Sequence, residues 1–331
     1  RNERNAELLG EAAAFFRAAL TVRAPERSLL DWYYSKDGLK EALTQQALLT
    51  PGTAEIEELR GALRELMDRY PPDWRRNGLA EYQADMADVL HELNLRGGDP
   101  ALLKDSAAFF RMSLETAEEN THPSFFVSIN RKLAAVLKRA AALSGDMDIY
   151  RQSAAASRAA LTYIDAGNAE MRAFTQRDLG LVLSTLGDSG GDMNALEESI
   201  DVLSSAIDHF NADDYPAEWA DLTNNIAWLN VLAGRHYGDI ARFESAANDL
   251  KFVVAIQRDI GNTATLAFSE DSLCAALYEI GRARSEKPLL ENAADACASA
   301  IEHFQANGME DFADGSTKLL SQVEDAMAAA D

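Results

Sequence analysis

Seven segments of this chain superpose without gaps: LGEAAAFFRAAL from Leu9, IEELRGALRELM from Ile56, LKDSAAFFRMSL from Leu103, YRQSAAASRAAL from Tyr150, LEESIDVLSSAI from Leu196, FESAANDLKFVV from Phe243 and LENAADACASAI from Leu290. Their starts lie 47 residues apart, with one step of 46. A period of that length excludes most folds at once. A repeated unit of this size buries its apolar face only against its neighbours, so the chain must be an array and not a sphere around one core.

Within each segment the apolar and small positions fall at the start and three, seven, ten and eleven residues later, which is one stripe of a helix. This is helix B of the repeat. Helix A lies upstream and is marked by an apolar residue 17 positions before each B start: Leu39, Met86, Leu133, Leu179, Ile226 and Leu273. The next residue is small in Ala87, Ala134, Gly180, Ala227 and Cys274, and only Lys40 breaks the pattern. Small side chains there let two helix backbones approach, and a larger one overpacks the contact.

The A-to-B link repeats as Gly98-Asp99, Gly145-Asp146, Gly191-Asp192 and Gly238-Asp239. Glycine ends helix A or turns the chain in a left-handed conformation, and aspartate caps the free N–H groups opening helix B. Pro100 suits a first helical position. Carboxylates also crowd in DSGGD at Asp188 to Asp192 and DMD at Asp146 to Asp148, as in calcium sites. Neither forms a twelve-residue ligand loop closed by Glu, so capping is the better reading.

A two-helix unit with a small residue on A and A-x-x-x-F-x-x-A spacing on B resembles the tetratricopeptide repeat (TPR). The B triplets are Ala12, Phe16, Ala19, then Ser106, Phe110, Ser113, then Ser199, Leu203, Ala206, then Ala293, Cys297, Ala300. Leu179-Gly180 followed by Leu183 is similar to the family's Leu-Gly-x-x-Tyr core. The resemblance covers essentially the whole chain and implies an all-α fold, a right-handed α-solenoid of antiparallel helix hairpins. The period departs from the usual 34 residues, and the family's early Trp on helix A and its Pro after helix B are mostly missing. Long-period repeats with a Gly-Asp link are similar to the TPR arrays beside caspase-like (CHAT) or nucleotide-binding signalling domains, as is the run Tyr215 to Trp219. HEAT and armadillo arrays, with periods near 47, are the structural alternative; the small-residue triplets favour TPR.

On this reading residues 1–331 form a single solenoid. It comprises a half repeat (1–25, helix B only), hairpins at 26–75, 76–122, 123–169, 170–216, 217–263 and 264–310, and a capping helix within 311–331, over Asp314 to Ala330. Beginning in mid-repeat implies a piece of something longer, because a half repeat leaves its apolar face uncovered.

Charge bears on partners. With 31 Lys plus Arg against 54 Asp plus Glu, the net charge is −23, and a surface of that sign repels the phosphates a nucleic-acid binder must neutralise. No run of about 18 apolar residues offers a membrane span, and nothing resembles a secretory signal. Two cysteines cannot build a disulfide framework, so a reducing, cytoplasmic compartment is expected. Cys274 on helix A and Cys297 on helix B read as buried small apolar residues facing one seam, in preference to a redox pair.

Motifs of catalysis are missing: there is no G-x-x-x-x-G-K-[ST], no H-E-x-x-H and no C-x-x-C, which leaves nucleotide and zinc chemistry without their usual handles. No catalytic residue, cofactor or metal is expected. His209 and His303 recur at one repeat position, in AIDHF and AIEHF, which suits packing better than a unique general base.

In TPR arrays the A helices line the concave face. The outer stripe of these helices carries Arg131 and Lys138, then Arg177, then Asn224 and Trp228, then Asp271 and Tyr278. The expectation is a basic, amide-bearing floor of Arg131, Lys138, Arg177 and Asn224 that grips an acidic side chain or C-terminal carboxylate, flanked by Trp228, Phe174 and Tyr278. It resembles the carboxylate clamp of some TPR domains by position only. The competing reading pairs these cations with Asp and Glu of adjacent repeats. The function expected is a scaffold binding a protein or peptide on its concave face, with no nucleic acid and no membrane. The alternative is a regulatory or sensor segment of a larger signalling enzyme.

Overall fold

The computed structural model describes residues 2–330, and every regular element among them is an α-helix. Two compact units divide the chain, Arg1–Ile164 and Asp165–Asp331. The first holds α1 (Asn2–Val22), α2 (Leu29–Ala47), α3 (Ala54–Asp68), α4 (Arg76–Gly97), α5 (Ala101–Thr116), α6 (Pro123–Ser144) and α7 (Met147–Tyr163). The second holds α8 (Ala169–Asp188), α9 (Met193–Ile207), α10 (Pro216–Tyr237), α11 (Ile240–Ile260), α12 (Thr263–Arg284), α13 (Lys287–Ala306) and α14 (Glu310–Ala329). Within each unit every helix packs on the next, which is the all-α solenoid arrangement of TPR-like antiparallel hairpins. In the second unit the even-numbered A helices also touch one another, α8 on α10, α10 on α12 and α12 on α14. No described helix is long and apolar enough to cross a membrane.

The Gly-Asp links work as caps. Gly98, Gly145, Gly191 and Gly238 all have positive φ, between 66° and 77°, a conformation glycine enters without a Cβ penalty. The aspartates that follow accept backbone N–H groups opening the next helix: Asp99 from Ala101 at 2.9 Å, Asp146 from Asp148 at 2.8 Å, Asp192 from Ala195 at 3.2 Å and Asp239 from Ala241 at 3.0 Å. Helix α14 begins at Glu310, four residues earlier than Asp314, because Gly308 turns the chain at φ 70° and Glu310 and Asp311 favourably occupy the first turn.

The A–B seam explains the small residues. Ser106 Oγ donates to the Ala87 carbonyl at 2.7 Å, Ser153 to Ala134 at 2.8 Å and Ser199 to Gly180 at 2.8 Å. A hydroxyl on B reaches the A backbone only because the residue there is small. Lys40 is tolerated where the rule fails because its amine leaves the seam for Asp85, 2.9 Å away on α4.

Cys274 and Cys297 correct the expectation of two unbonded apolar residues: they form a disulfide, with Cα atoms 5.2 Å apart and no exposure. They sit 23 residues apart, as do Gly180 and Leu203, and a Cβ on Gly180 would run into the Leu203 side chain. The two positions face each other across the seam, and where both are cysteine they bond.

Candidate functional site

Each A helix of the second unit presents one stripe to a shared groove. Helix α8 contributes Arg177, Leu181 and Asp188, and α10 contributes Asp221, Asn224, Asn225 and Trp228. Helix α12 adds Phe268, Asp271 and Ser272, and Phe312 of α14 closes the end. The spacings of three, four and seven residues put each set on one helical face. The cavity they line, with Glu218 at its edge, measures about 690 Å³. A second cavity of about 620 Å³ shares Trp228, Asp271 and Phe312 and continues over Arg235, Tyr278, Glu279 and Arg282.

The first cavity is acidic and aromatic. Trp228 Nε1 donates to Asp188 at 3.3 Å, Ser316 Oγ to Asp271 at 2.5 Å, and Gln257 Nε2 to Asp221 at 3.5 Å. Desolvation pushes the Asp221 carboxyl above the ordinary aspartate range, aided by repulsion from Glu218 and opposed by Gln257. Burial raises Asp271 likewise, against the pull of Ser316 and Arg235. Asn224 Oδ1 is wholly buried without a hydrogen-bond partner.

The second cavity is held by ion pairs. Glu279, 7% exposed, accepts Arg235 Nε at 2.7 Å and Arg282 Nη2 at 2.9 Å. Arg235 lies 5.9 Å from the Trp228 ring and Arg282 lies 6.0 Å from Tyr278.

Of the residues expected at a binding floor, Arg177, Asn224 and Trp228 line the first cavity and Tyr278 the second. Phe174 packs with Phe210 at 5.1 Å and carries the Arg177 guanidinium 5.0 Å above its ring, so it supports Arg177 from the core side. Arg177 is further bonded to Asp178 at 3.2 Å. Arg131 and Lys138 belong to α6 of the other unit. Their neighbours there are already engaged, Lys132 by Asp88 at 2.6 Å and Arg139 by Asn94 at 2.7 Å. Within the cavity the carboxylates outnumber Arg177, so its charge runs opposite to a floor built on cations. Asp188, Asp221, Phe268 and Phe312 do not stand out in a sequence searched for cations; continuing the same stripe along α10 and α12 finds two of them, Asp221 and Phe268.

The recurrent histidines make different contacts. His209 stacks on Tyr215 at 5.9 Å, and His303 Nδ1 is 2.7 Å from Glu270 Oε2. Among the described residues no group of three or more His, Cys, Asp or Glu could hold a metal ion.

No family model matches the chain, and no curated protein does. Solved structures of helical-repeat proteins do match. BtubC (BKLC) from P. vanneervenii aligns at 19% identity over 87% of this chain and 92% of its own, with a TM-score of 0.43. A signal transduction ATPase with numerous domains and a tetratricopeptide repeat sensor, from Pyrococcus horikoshii, aligns at 13% identity over 100% of this chain and 54% of its own, with a TM-score of 0.45. The TPR2AB domain of yeast Sti1, in its complex with pHSP90, aligns at 13% identity over 95% and 99%, with a TM-score of 0.31.

Proposed function

We propose that the chain is a non-catalytic scaffold that binds a protein or peptide segment in the groove lined by α8, α10, α12 and α14. The observation that carries this is the groove itself: a cavity of about 690 Å³ running into a second through shared Trp228, Asp271 and Phe312. Such a trough suits an extended segment better than a compact metabolite, and flat aromatic faces with adjacent hydrogen-bonding groups are the usual anchors of recognition. Arg177, Asn224 and Trp228 are the proposed contacts, and Tyr278 extends them along the groove. Arg131 and Lys138 are left out of this surface.

The test is capture of short peptides by the full chain from an array of varied sequence. Trp228→Ala and Phe312→Ala should each abolish most capture, whereas Phe252→Ala, on exposed helix α11 surface outside the groove, should leave it intact. Capture that survives both groove substitutions overturns the proposal.

A further inference from the structure

Several acidic side chains elsewhere in the second unit have cationic partners. Glu279 holds Arg235 and Arg282, Glu270 holds Arg258 and His303, Glu197 holds Arg242, and Glu244 holds Arg284. The first cavity is different. Asp188 and Asp221 are met only by long hydrogen bonds from neutral groups, at 3.3 and 3.5 Å, and Glu218 has no hydrogen bond or ion pair among the described residues. The one cation of the lining, Arg177, is taken up by Asp178 and by the Phe174 and Phe210 rings.

We infer that this cavity receives a lysine or arginine side chain of a basic peptide segment, its charged head among Asp188, Asp221 and Asp271 and its methylene stem against Trp228 and Phe312. The inference rests on the groove being the peptide site. Three independent features ask for the same chemistry. Asp188, Glu218 and Asp221 line the cavity with no ion pair among the described residues, whereas Glu279 of the adjoining cavity holds two arginines. Asn224 Oδ1 is a buried acceptor with no donor, and a guanidinium or ammonium brings donors and no acceptor. Trp228, Phe268 and Phe312 line the cavity; aromatic rings attract a cation, and the stem of a long basic side chain covers apolar surface while its head stays polar. A bare divalent ion would need acids clustered around one point, and no such group exists among the described residues. Desolvation of Asp221 and Asp271 works in the same direction, since an arriving cation relieves what burial costs each carboxylate.

The experiment uses the full chain and acetylated, amidated peptides of equal length on an array graded from glutamate-rich to arginine-rich, with a matching acidic set ending in a free carboxylate. Peptides rich in Arg or Lys should be retained and should weaken steeply with added salt. In solution, measured by fluorescence polarisation, the double variant Asp221→Asn with Asp271→Asn should bind the best basic peptide at least about tenfold more weakly. Asp249→Asn, on α11 and outside the groove, should bind it normally; circular dichroism confirms that each variant is folded. Retention of acidic peptides, lost on Trp228→Ala, overturns the basic partner and leaves the groove reading standing. Basic peptides bound equally by the double variant overturn the carboxylate anchor. Failure of every peptide, or binding indifferent to Trp228→Ala, overturns both readings together.

Discussion

Leu196 stands so close to Gly187 that a Cβ on the glycine would lie 2.6 Å from the leucine Cβ and 2.8 Å from its Cα. The obstacle is backbone, so no rotamer change relieves it. Gly234 and Gly281 face the equivalent residues Phe243 and Leu290, there chiefly through the side chains, always where helix A ends beside the first apolar residue of helix B. Gly187→Ala should therefore cost about 1 to 3 kcal/mol by overpacking, less the fraction of a kcal/mol that alanine gains in helix propensity. Gly61, mid-helix in α3, meets nothing within 4 Å. Gly61→Ala should stabilise by about 0.5 to 1 kcal/mol. Urea unfolding followed by far-UV circular dichroism distinguishes the two signs.

The disulfide should contribute measurably. Closing 23 residues between Cys274 and Cys297 removes chain entropy from the unfolded state equivalent to about 3 kcal/mol. Cys274→Ser with Cys297→Ser should lose about that much and also strand two hydroxyls in an apolar seam. Cys274→Ala with Cys297→Leu rebuilds the Ala227 and Leu250 arrangement of the preceding hairpin, where both residues are buried in one cluster. It should recover part of the loss, seen as a higher melting temperature than the serine pair. A leucine pair no better than the serine pair would disprove the equivalence of these positions.

These two cases show where the sequence is readable. Local rules that act within one hairpin could be seen in advance: the apolar stripes, the small residue beside each A-helix marker, and the Gly-Asp caps each depend on residues a fixed distance apart. The glycines at 187, 234 and 281 also recur with the repeat and could have been found by the same count. The Cys274–Cys297 bond was harder, because cysteine is small enough to pass for alanine in the pattern and spacing does not state oxidation. The charge of the groove was hardest. It depends on which acids acquire a basic neighbour about one repeat away, as Asp85 does from Lys40 and Glu279 does from Arg235, and which acids, such as Asp221, do not.

Asp249 gives a pH test free of such pairing. Burial alone raises its carboxyl above the ordinary aspartate range. The folded state thus holds the proton more tightly than the unfolded chain, whose aspartates titrate near about 3.9. The stabilising contribution of the protonated form is complete below that value and disappears as pH rises through the folded pKa. At neutral pH the half-buried carboxylate is a net cost. Asp249→Asn should raise the melting temperature at pH 7, and the advantage should close as pH falls toward about 4. An advantage independent of pH would mean that the substitution acts through packing and not through charge.

Glu270 predicts an asymmetry. It is 2% exposed on α12 and receives Arg258 Nη2 at 3.1 Å and His303 Nδ1 at 2.7 Å, yet the Arg258 side chain is 63% exposed. Removing the acid leaves an arginine that water solvates readily. Removing the bases leaves a buried carboxylate with nothing to satisfy it, and stranding a polar group in that way costs about 1 to 3 kcal/mol, more when it is charged. Arg258→Ala with His303→Ala should therefore destabilise the chain more than Glu270→Gln does. Adding Glu270→Gln to that double variant should restore stability, because the amide needs no counter-ion. Loss of packing around His303 would also destabilise the double variant, but it would not be rescued by a change at position 270. Denaturant midpoints of the four proteins, taken at one pH and salt concentration, therefore separate the stranded charge from the missing ring.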